Sequence, residues 1–202
     1  MLNKIKNTEI EIRGAFPNKS CVKRIVAKIQ KQDKAIVQEN KQVIIFYKEN
    51  DQDFRIKWDK EKEYFEFIYK TKQERQRTVR DEFTIAIDKK QIGDFFKILE
   101  ELGLKKGFVS PTHRIDVITP FILWSFKLGA VIGDYWEAEA TEQLARKFKG
   151  DTNKIKTYLK ENARLLDLSF WSEEEFKKLR KEKWGNIQPI ENSKIIKILQ
   201  NN

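Results

Sequence analysis

Apolar and charged residues alternate in the first segment of the chain. In TEIEIRGAF, residues 8–16, Glu9, Glu11 and Arg13 occupy every second position, and isoleucines lie between them. Successive side chains of a β-strand point to opposite faces of the sheet. The segment therefore predicts a strand with one apolar face and one face that carries two carboxylates and a guanidinium.

Similar segments follow and predict seven further strands, at residues 41–48, 54–58, 64–70, 77–87, 112–118, 121–129 and 134–140. Two amphipathic helices are predicted between them, at residues 18–31 and from an N-cap at Asp88 to a stop at Gly103. Eight strands with two helices are typical of an antiparallel α+β fold, which we predict for residues 1–140.

The pattern changes after residue 140. Residues 151–166 have helical periodicity, and Ser172 with Glu175 forms a capping-box signature that opens another helix. A short last helix is predicted after Asn192. We therefore predict two parts, a strand-rich domain at 1–140 and a basic helical C-terminal extension at 141–202.

The charged faces recur from strand to strand. Besides the first strand, they comprise Arg55 and Lys57, Glu66 and Lys70, Arg80 with Glu82 and Thr84, and Glu137 with Glu139. For one strand alone, the simpler interpretation is the solvated face of an open sheet. The recurrence over five strands favours a closed barrel with these faces inside and the apolar faces packed against helices. Such a lumen suits a chain of phosphates and its divalent cations.

The amino-acid composition limits which partners and metal sites the chain could have. The 202 residues include 41 Lys and Arg against 31 Asp and Glu, an excess that favours anionic partners but also fits simple solubility. One cysteine, Cys21, and one histidine, His113, exclude an internal disulfide and a histidine-rich zinc site. A bound metal is therefore expected to be Mg²⁺ or Mn²⁺ held by carboxylates. We expect a cytoplasmic protein, because no membrane-spanning run or signal-peptide core is present.

The ordered motifs resemble those of a known family. EIEIR is similar to the ExExK signature of the CYTH superfamily, the triphosphate tunnel metalloenzymes. FRIKW, FEFIYK, VRDEF and GDYWEAE resemble four later strands of that family in the same order, over about residues 7–140. The resemblance to this family, as a divergent member, implies an antiparallel eight-stranded β-barrel, the triphosphate tunnel, with flanking helices.

The resemblance also implies roles for individual residues. The positions that would bind substrate phosphates are Arg13, Arg55, Lys57, Lys70, Arg80, Arg114 and Lys127. The positions that would hold Mg²⁺ or Mn²⁺ are Glu9, Glu11, Glu137 and Glu139, and Glu9, Glu11 and Glu82 would take part in catalysis.

The sequence departs from the family pattern at four positions. Three of them are among the residues named above, and the fourth is Thr84. Arg13 replaces a lysine, Lys57 a common arginine, and Thr84 a glutamate. Lys127 stands where active members often carry a metal-binding aspartate. A cation at that position would repel a second metal ion, so we expect one divalent ion to suffice.

The expected function is binding and metal-dependent hydrolysis of a triphosphate-bearing substrate, such as tripolyphosphate, a nucleoside triphosphate or an organic triphosphate. Two alternatives stay open, namely a non-catalytic polyanion- or RNA-binding module and a class IV-type adenylyl cyclase. The lysine-rich residues 177–184 could contact RNA, although a charge-paired helix surface is the simpler interpretation. The oligomeric state is open, and a dimer is compatible with the sequence.

Overall fold

The computed structural model describes residues 7–16, 18–32, 34–49, 52–59, 61–62, 64–70 and 79–200. The strands are β1 (Asn7–Ala15), β2 (Ile36–Glu49), β3 (Gln52–Asp59), β4 (Tyr64–Lys70), β5 (Val79–Asp88), β6 (Lys106–Ile118), β7 (Ile122–Leu128), β8 (Tyr135–Ala140) and β9 (Ile190–Glu191). The helices are α1 (Cys21–Gln32), α2 (Ile92–Glu101), α3 (Glu142–Lys147), α4 (Thr152–Leu165), α5 (Glu173–Gly185) and α6 (Asn192–Gln200).

Each strand from β1 to β8 pairs antiparallel with two neighbours. The order is β2-β3-β4-β5-β1-β8-β7-β6, and β6 pairs in turn with β2, so the order of pairings returns to its start. The short strand β9 adds to the beginning of β6. The predicted α+β fold with an eight-stranded antiparallel sheet and flanking helices is confirmed.

Residues that pair directly across two strands point to the same face of the sheet. The pairings therefore define one continuous face that runs around all eight strands. Glu11 pairs with Glu139, and Lys57 pairs with Glu66. We call this surface the lumen face. It comprises residues 11 and 13; 42, 44 and 46; 53, 55, 57 and 59; 66, 68 and 70; 82 and 84; 108, 110, 112, 114 and 116; 123, 125 and 127; and 135, 137 and 139.

Buried polar side chains confirm that the lumen face points inward. The buried polar residues of this face are Glu11, Gln42, Asp59, Lys70, Ser110, Thr112, Asp116 and Ser125. Polar groups are removed from water in such numbers only where they can pair with one another or with a ligand. The lumen is therefore a polar interior.

The outer face packs against the helices in two hydrophobic clusters. The first joins residues of β1, β6, β7 and β8 to α1, α3 and α4, and includes Ile12, Trp136 and Leu159. The second joins β2, β3 and β4 to α2 and α6, and includes Ile45 and Ile195. Both clusters thus contain residues from each side of residue 140. Trp58, Trp124 and Trp136 are buried in these clusters.

Two strands are longer than their sequence pattern predicts. β2 begins at Ile36 instead of residue 41, and β6 begins at Lys106 instead of residue 112. Gly107 and Pro111 interrupt the alternation in β6, yet residues 108–118 all pair with β2. Pairing of β6 with β7 begins only at His113, so Pro111 needs no hydrogen-bond donor toward β7.

The predicted capping box of α5 is confirmed, since Ser172 and Glu175 form it. Asp88 caps a 3₁₀ turn, Lys89–Gln91, through a hydrogen bond from the Lys90 amide, and α2 begins only after this turn, at Ile92. Helix α1 starts at Cys21, three residues later than predicted, and α3 was not predicted. No helix within the described ranges is long and apolar enough to cross a membrane.

Candidate functional site in the barrel lumen

Basic and acidic side chains of the lumen face form ion pairs. The pairs are Arg13 with Glu11, Arg55 with Asp53 at 2.7 Å, Lys57 with Glu66 at 2.8 Å, Lys70 with Glu82 at 2.6 Å, Arg114 with Asp116 at 2.7 Å, and Lys127 with Glu137. The basic members come from β1, β3, β4, β6 and β7. Six cationic groups from five strands thus point into one interior, and each contacts a carboxylate there.

Carboxylates outnumber cationic groups on the described lumen face. The described lumen face carries the six paired basic side chains and eight acidic ones, since Asp59 and Glu139 add to the six paired carboxylates. A free polyanion entering this space would meet carboxylates as well as cations. A divalent cation entering with it would offset those carboxylates.

Three carboxylates, those of Glu11, Glu137 and Glu139, lie on the adjoining strands β1 and β8. Glu11 lies opposite Glu139, and Arg13 lies opposite Glu137. Although burial raises the pKa of Glu137, the Lys127 ammonium and the Arg13 guanidinium lower it well below its ordinary range. Burial also disfavours the charged form of Lys127 and so lowers its pKa, but Glu137 raises this pKa above its ordinary value. Both groups therefore stay charged at neutral pH.

Arg13 has a donor atom with no acceptor. Its Nε is buried and has no hydrogen-bond partner among the described residues. Its guanidinium contacts Glu11 on one side and lies over the ring of Phe176, 4.2 Å from the centroid. An unsatisfied buried donor is costly, so this atom is a candidate contact for an anionic ligand.

Comparison with known proteins rests on structure. No protein-family model and no curated protein matches the chain. A protein of Pyrococcus horikoshii OT3 of known structure is 17% identical, with 83% of this chain and 93% of that chain covered and a TM-score of 0.64. A candidate adenylate cyclase from Vibrio parahaemolyticus is 14% identical, with coverage of 86% and 98% and a TM-score of 0.61. An adenylyl cyclase candidate from Hippeastrum with a dominant triphosphatase activity is 12% identical, with coverage of 90% and 97% and a TM-score of 0.55.

The chain shares its fold with these three proteins, because the TM-scores of 0.55–0.64 show a common architecture at identities of only 12–17%. The fold that the motif resemblance implied is thus confirmed. Each motif strand of the CYTH pattern is a strand of the barrel in the expected order.

Most of the residues implied by the CYTH resemblance share the lumen face. Those whose side chains are described there are Glu11, Arg13, Arg55, Lys57, Lys70, Glu82, Arg114, Lys127, Glu137 and Glu139. The backbones of Glu9 and Arg80 pair with each other, but their side chains lie outside the described part of the structure. The predicted roles of all twelve residues stay predictions, since the register shows only where the residues lie.

Some of the lumen carboxylates are suited to bind a divalent metal ion. Carboxylate oxygens are the ligands that Mg²⁺ and Mn²⁺ prefer, and the register puts Glu11 directly opposite Glu139. Glu137 is held by Lys127 instead. Within the described ranges, no three Asp, Glu, His or Cys residues are gathered closely enough to hold a metal. Glu11 and Glu139 could contribute to a single-ion site, and Glu9 is the predicted further ligand.

Sequence analysis missed the partners of Arg114. Arg114 Nε donates to Asp116 Oδ1 at 2.7 Å, its Nη2 donates to Ser125 Oγ at 3.0 Å, and Ser125 Oγ donates to Asp116 at 2.6 Å. The network fixes the guanidinium in one orientation. Asp116 was accessible from the sequence, because it follows Arg114 by two residues on the same strand face; Ser125 lies on another strand and left no such signal.

Proposed function

We propose that this protein binds a triphosphate-bearing anion in the barrel lumen together with one Mg²⁺ or Mn²⁺ ion, and hydrolyses it. Tripolyphosphate, nucleoside triphosphates and organic triphosphates belong to this substrate class. The observation that carries the proposal is the convergence of six cationic side chains on one closed interior. The dominant triphosphatase activity of the Hippeastrum protein supports it by analogy of fold.

The paired charges support a metal-bound substrate. Phosphate oxygens that bind Lys70 or Arg55 compete with the carboxylates of Glu82 and Asp53. A divalent cation gives displaced carboxylates a new partner and lowers the negative charge of the phosphates. Binding of the metal complex therefore costs less electrostatic free energy than binding of the bare anion.

The residues then divide into three roles. Arg13, through its Nε, and the other basic residues of the lumen face bind and orient the phosphates. Glu11 and Glu139 would hold the divalent ion, which polarises a phosphoryl oxygen when bound. Glu82, once a phosphate has taken its partner Lys70, becomes a proton acceptor for the attacking water.

A non-catalytic binding module is the second candidate function. The contact of Lys127 with Glu137 favours it, because an internal cation occupies a carboxylate that would otherwise be free for a metal ion. In that case the lumen would hold a polyphosphate or an RNA 5′ end without turnover.

One panel of assays separates these functions. Purified protein is incubated with tripolyphosphate or ATP, with and without Mg²⁺ or Mn²⁺, and phosphate, cyclic AMP and ligand binding are measured. We expect metal-dependent phosphate release that Glu11→Gln abolishes and that Glu142→Gln, an exposed change on α3, leaves intact. Binding without any product would support the module, cyclic AMP would support a cyclase, and absence of binding would overturn all three.

A further inference from the structure

We propose that an aromatic wall closes one end of the lumen and restricts the site to phosphate chains with a free terminal phosphate. The wall consists of Phe46, Phe108, Tyr135, Trp171, Phe176 and Trp184. This inference rests on the proposed function, since it concerns which triphosphates the same lumen accepts.

Three rings of the wall belong to the lumen face itself. Phe46 on β2 pairs directly with Phe108 on β6, and Tyr135 is the lumen-face residue at the start of β8. All three pack against Ile132, Phe176 and Trp184 in one hydrophobic cluster, separate from the two clusters on the outer face. The polar lumen thus changes to an apolar surface at this end.

The other three rings come from the C-terminal extension. Trp184 meets Phe46 and Phe108 edge-on, with centroids 4.9 and 5.5 Å apart. Trp171 stacks on Tyr135 at 6.1 Å and on Phe176 at 5.8 Å. The exposures of Phe176 and Trp184 are only 8% and 9%, although α5 is a highly charged helix. Their burial is explained by contact with the end of the lumen.

Three lumen cations lie against the wall. The Arg13 guanidinium is 4.2 Å from the Phe176 centroid, and Arg55 and Lys127 are each 5.1 Å from the centroids of Phe46 and Tyr135. Aromatic faces attract cations and hold them in place. A phosphate bound by these cations would have the rings directly behind it.

The wall therefore distinguishes the end of a phosphate chain from its middle. A terminal phosphate presents all its charged oxygens to Arg13, Arg55 and Lys127 and needs no space beyond them. A phosphate esterified on both sides would have to place a further polar group among the rings without a hydrogen-bond partner, which is costly. The rest of the substrate would extend toward the opposite end. There Gln38 and Asn40, which pair with Asp116 and Arg114 of the lumen face, are polar and at least partly exposed.

Diadenosine triphosphate tests the inference, because its three phosphates are esterified at both ends. Binding of tripolyphosphate, ATP and diadenosine triphosphate is measured calorimetrically with Mg²⁺. We expect the wild-type protein to bind the first two and to bind diadenosine triphosphate on the order of 100-fold more weakly than ATP, since charge-assisted hydrogen bonds to the terminal phosphate are lost.

Variants assign this selectivity to the wall. Trp184→Ala should reduce the preference for ATP over diadenosine triphosphate by roughly tenfold, because it removes ring surface behind the terminal phosphate. Phe148→Ala, which changes an aromatic residue outside the lumen next to Tyr158, should leave it unchanged. Trp184→Leu, which removes the indole ring but keeps a smaller apolar contact, serves as a second variant and should reduce the preference in the same direction by a smaller factor. Thermal unfolding checks that each protein is folded.

The outcomes separate the two proposals. Equal wild-type affinity for ATP and diadenosine triphosphate would overturn the wall and leave the proposed function standing. Selectivity that persists in the folded Trp184 variants would also overturn the wall. Failure to bind any of the three ligands would overturn both proposals.

Discussion

Lys127 is the residue whose charge bears most directly on metal binding. Its ammonium contacts Glu137, and its pKa is raised overall by that carboxylate despite the opposing effect of burial. Lys127→Asp would release Glu137 and add a carboxylate, so we expect the affinity for Mn²⁺ to rise by about tenfold or more. Calorimetric titration of both proteins with Mn²⁺ measures the change.

Lys57→Asp, on β3, is the matched control, because it makes the same charge change beside Glu66 of β4, whose carboxylate stays paired with Lys62 and is not a predicted metal ligand. We expect its Mn²⁺ affinity to stay near that of the wild type. Equal metal affinity and stoichiometry in wild type and Lys127→Asp would show that Lys127 has no part in the metal chemistry.

Glu66 gives the lumen a defined dependence on pH. Burial raises the pKa of Glu66. Hydrogen bonds from Lys57 at 2.8 Å and Lys62 at 3.1 Å lower it by more than burial raises it, so the net pKa is below its ordinary value. A lowered folded-state pKa stabilises the fold above the pKa of the unfolded chain, and this stability is lost as the pH falls through the folded-state pKa.

We therefore expect Glu66→Gln to reduce the free energy of unfolding by about 1–2 kcal/mol at pH 7, because hydrogen bonds to a charged group contribute about 1.5–3 kcal/mol and a neutral amide retains part of this contribution. In urea titrations the difference from wild type should shrink as the pH falls below about 4.3, the ordinary pKa of a glutamate in an unfolded chain. Glu161→Gln, an exposed change on α4, should have no comparable effect at neutral or acidic pH. A constant difference at all pH values would contradict this origin of the stability.

Among single residues, the sequence shows which side chains share a face but only some of their partners. Arg55 and Asp53 are two residues apart on one strand, so their pairing follows from alternation. Lys57 and Glu66 lie on different strands, and their contact depends on the register of β3 against β4. Register is a property of the folded sheet and was not accessible from the sequence.

At the scale of elements, one hydrogen-bonded chain fixes α6 to the barrel. Tyr47 donates to Asn192 Oδ1 at 2.7 Å, and Asn192 Nδ2 donates to the Leu104 carbonyl at 2.8 Å. Burial, followed by the nearby Glu100 carboxylate, raises the pKa of Tyr47, so its hydroxyl remains protonated and can donate.

Tyr47→Phe should destabilise the protein by about 1–2 kcal/mol, because it leaves the fully buried Asn192 oxygen without its donor. Amide hydrogen exchange in α6 should also become faster. Tyr64→Phe, which changes a tyrosine with 37% exposure, provides the control. Unchanged exchange in α6 would show that the helix is held by apolar contacts alone.

Helix α5 was predicted from the sequence, but its contact with the lumen was not. Its capping box marks where it begins, but its two buried residues, Phe176 and Trp184, lie eight positions apart among charged side chains. Such spacing gives no continuous apolar stripe, and an apolar stripe is what predicts that a helix packs against a core. The contact of α5 with the lumen was therefore not predictable from periodicity.

At the scale of the whole molecule, the extension contributes to the stability of the barrel. Leu159 and Ile195, both fully buried, pack in the clusters that contain Ile12 and Ile45. Removal of residues 141–202 would expose these clusters to water, so we expect residues 1–140 alone to show no cooperative thermal unfolding. Circular dichroism of the truncated and full chains measures this, and removal of residues 201–202 is the control. A cooperative transition of the short form would show that the barrel folds without its extension.

The single continuous lumen face also restricts how such a chain can change length through descent. One residue gained or lost inside a strand would turn the following charged side chains outward and the apolar ones inward. Two residues, or any number in a turn, would preserve the faces. We therefore expect homologous chains to differ in strand length by even steps and in turn length freely, so that parity, rather than the identity of any one residue, is the inherited constraint.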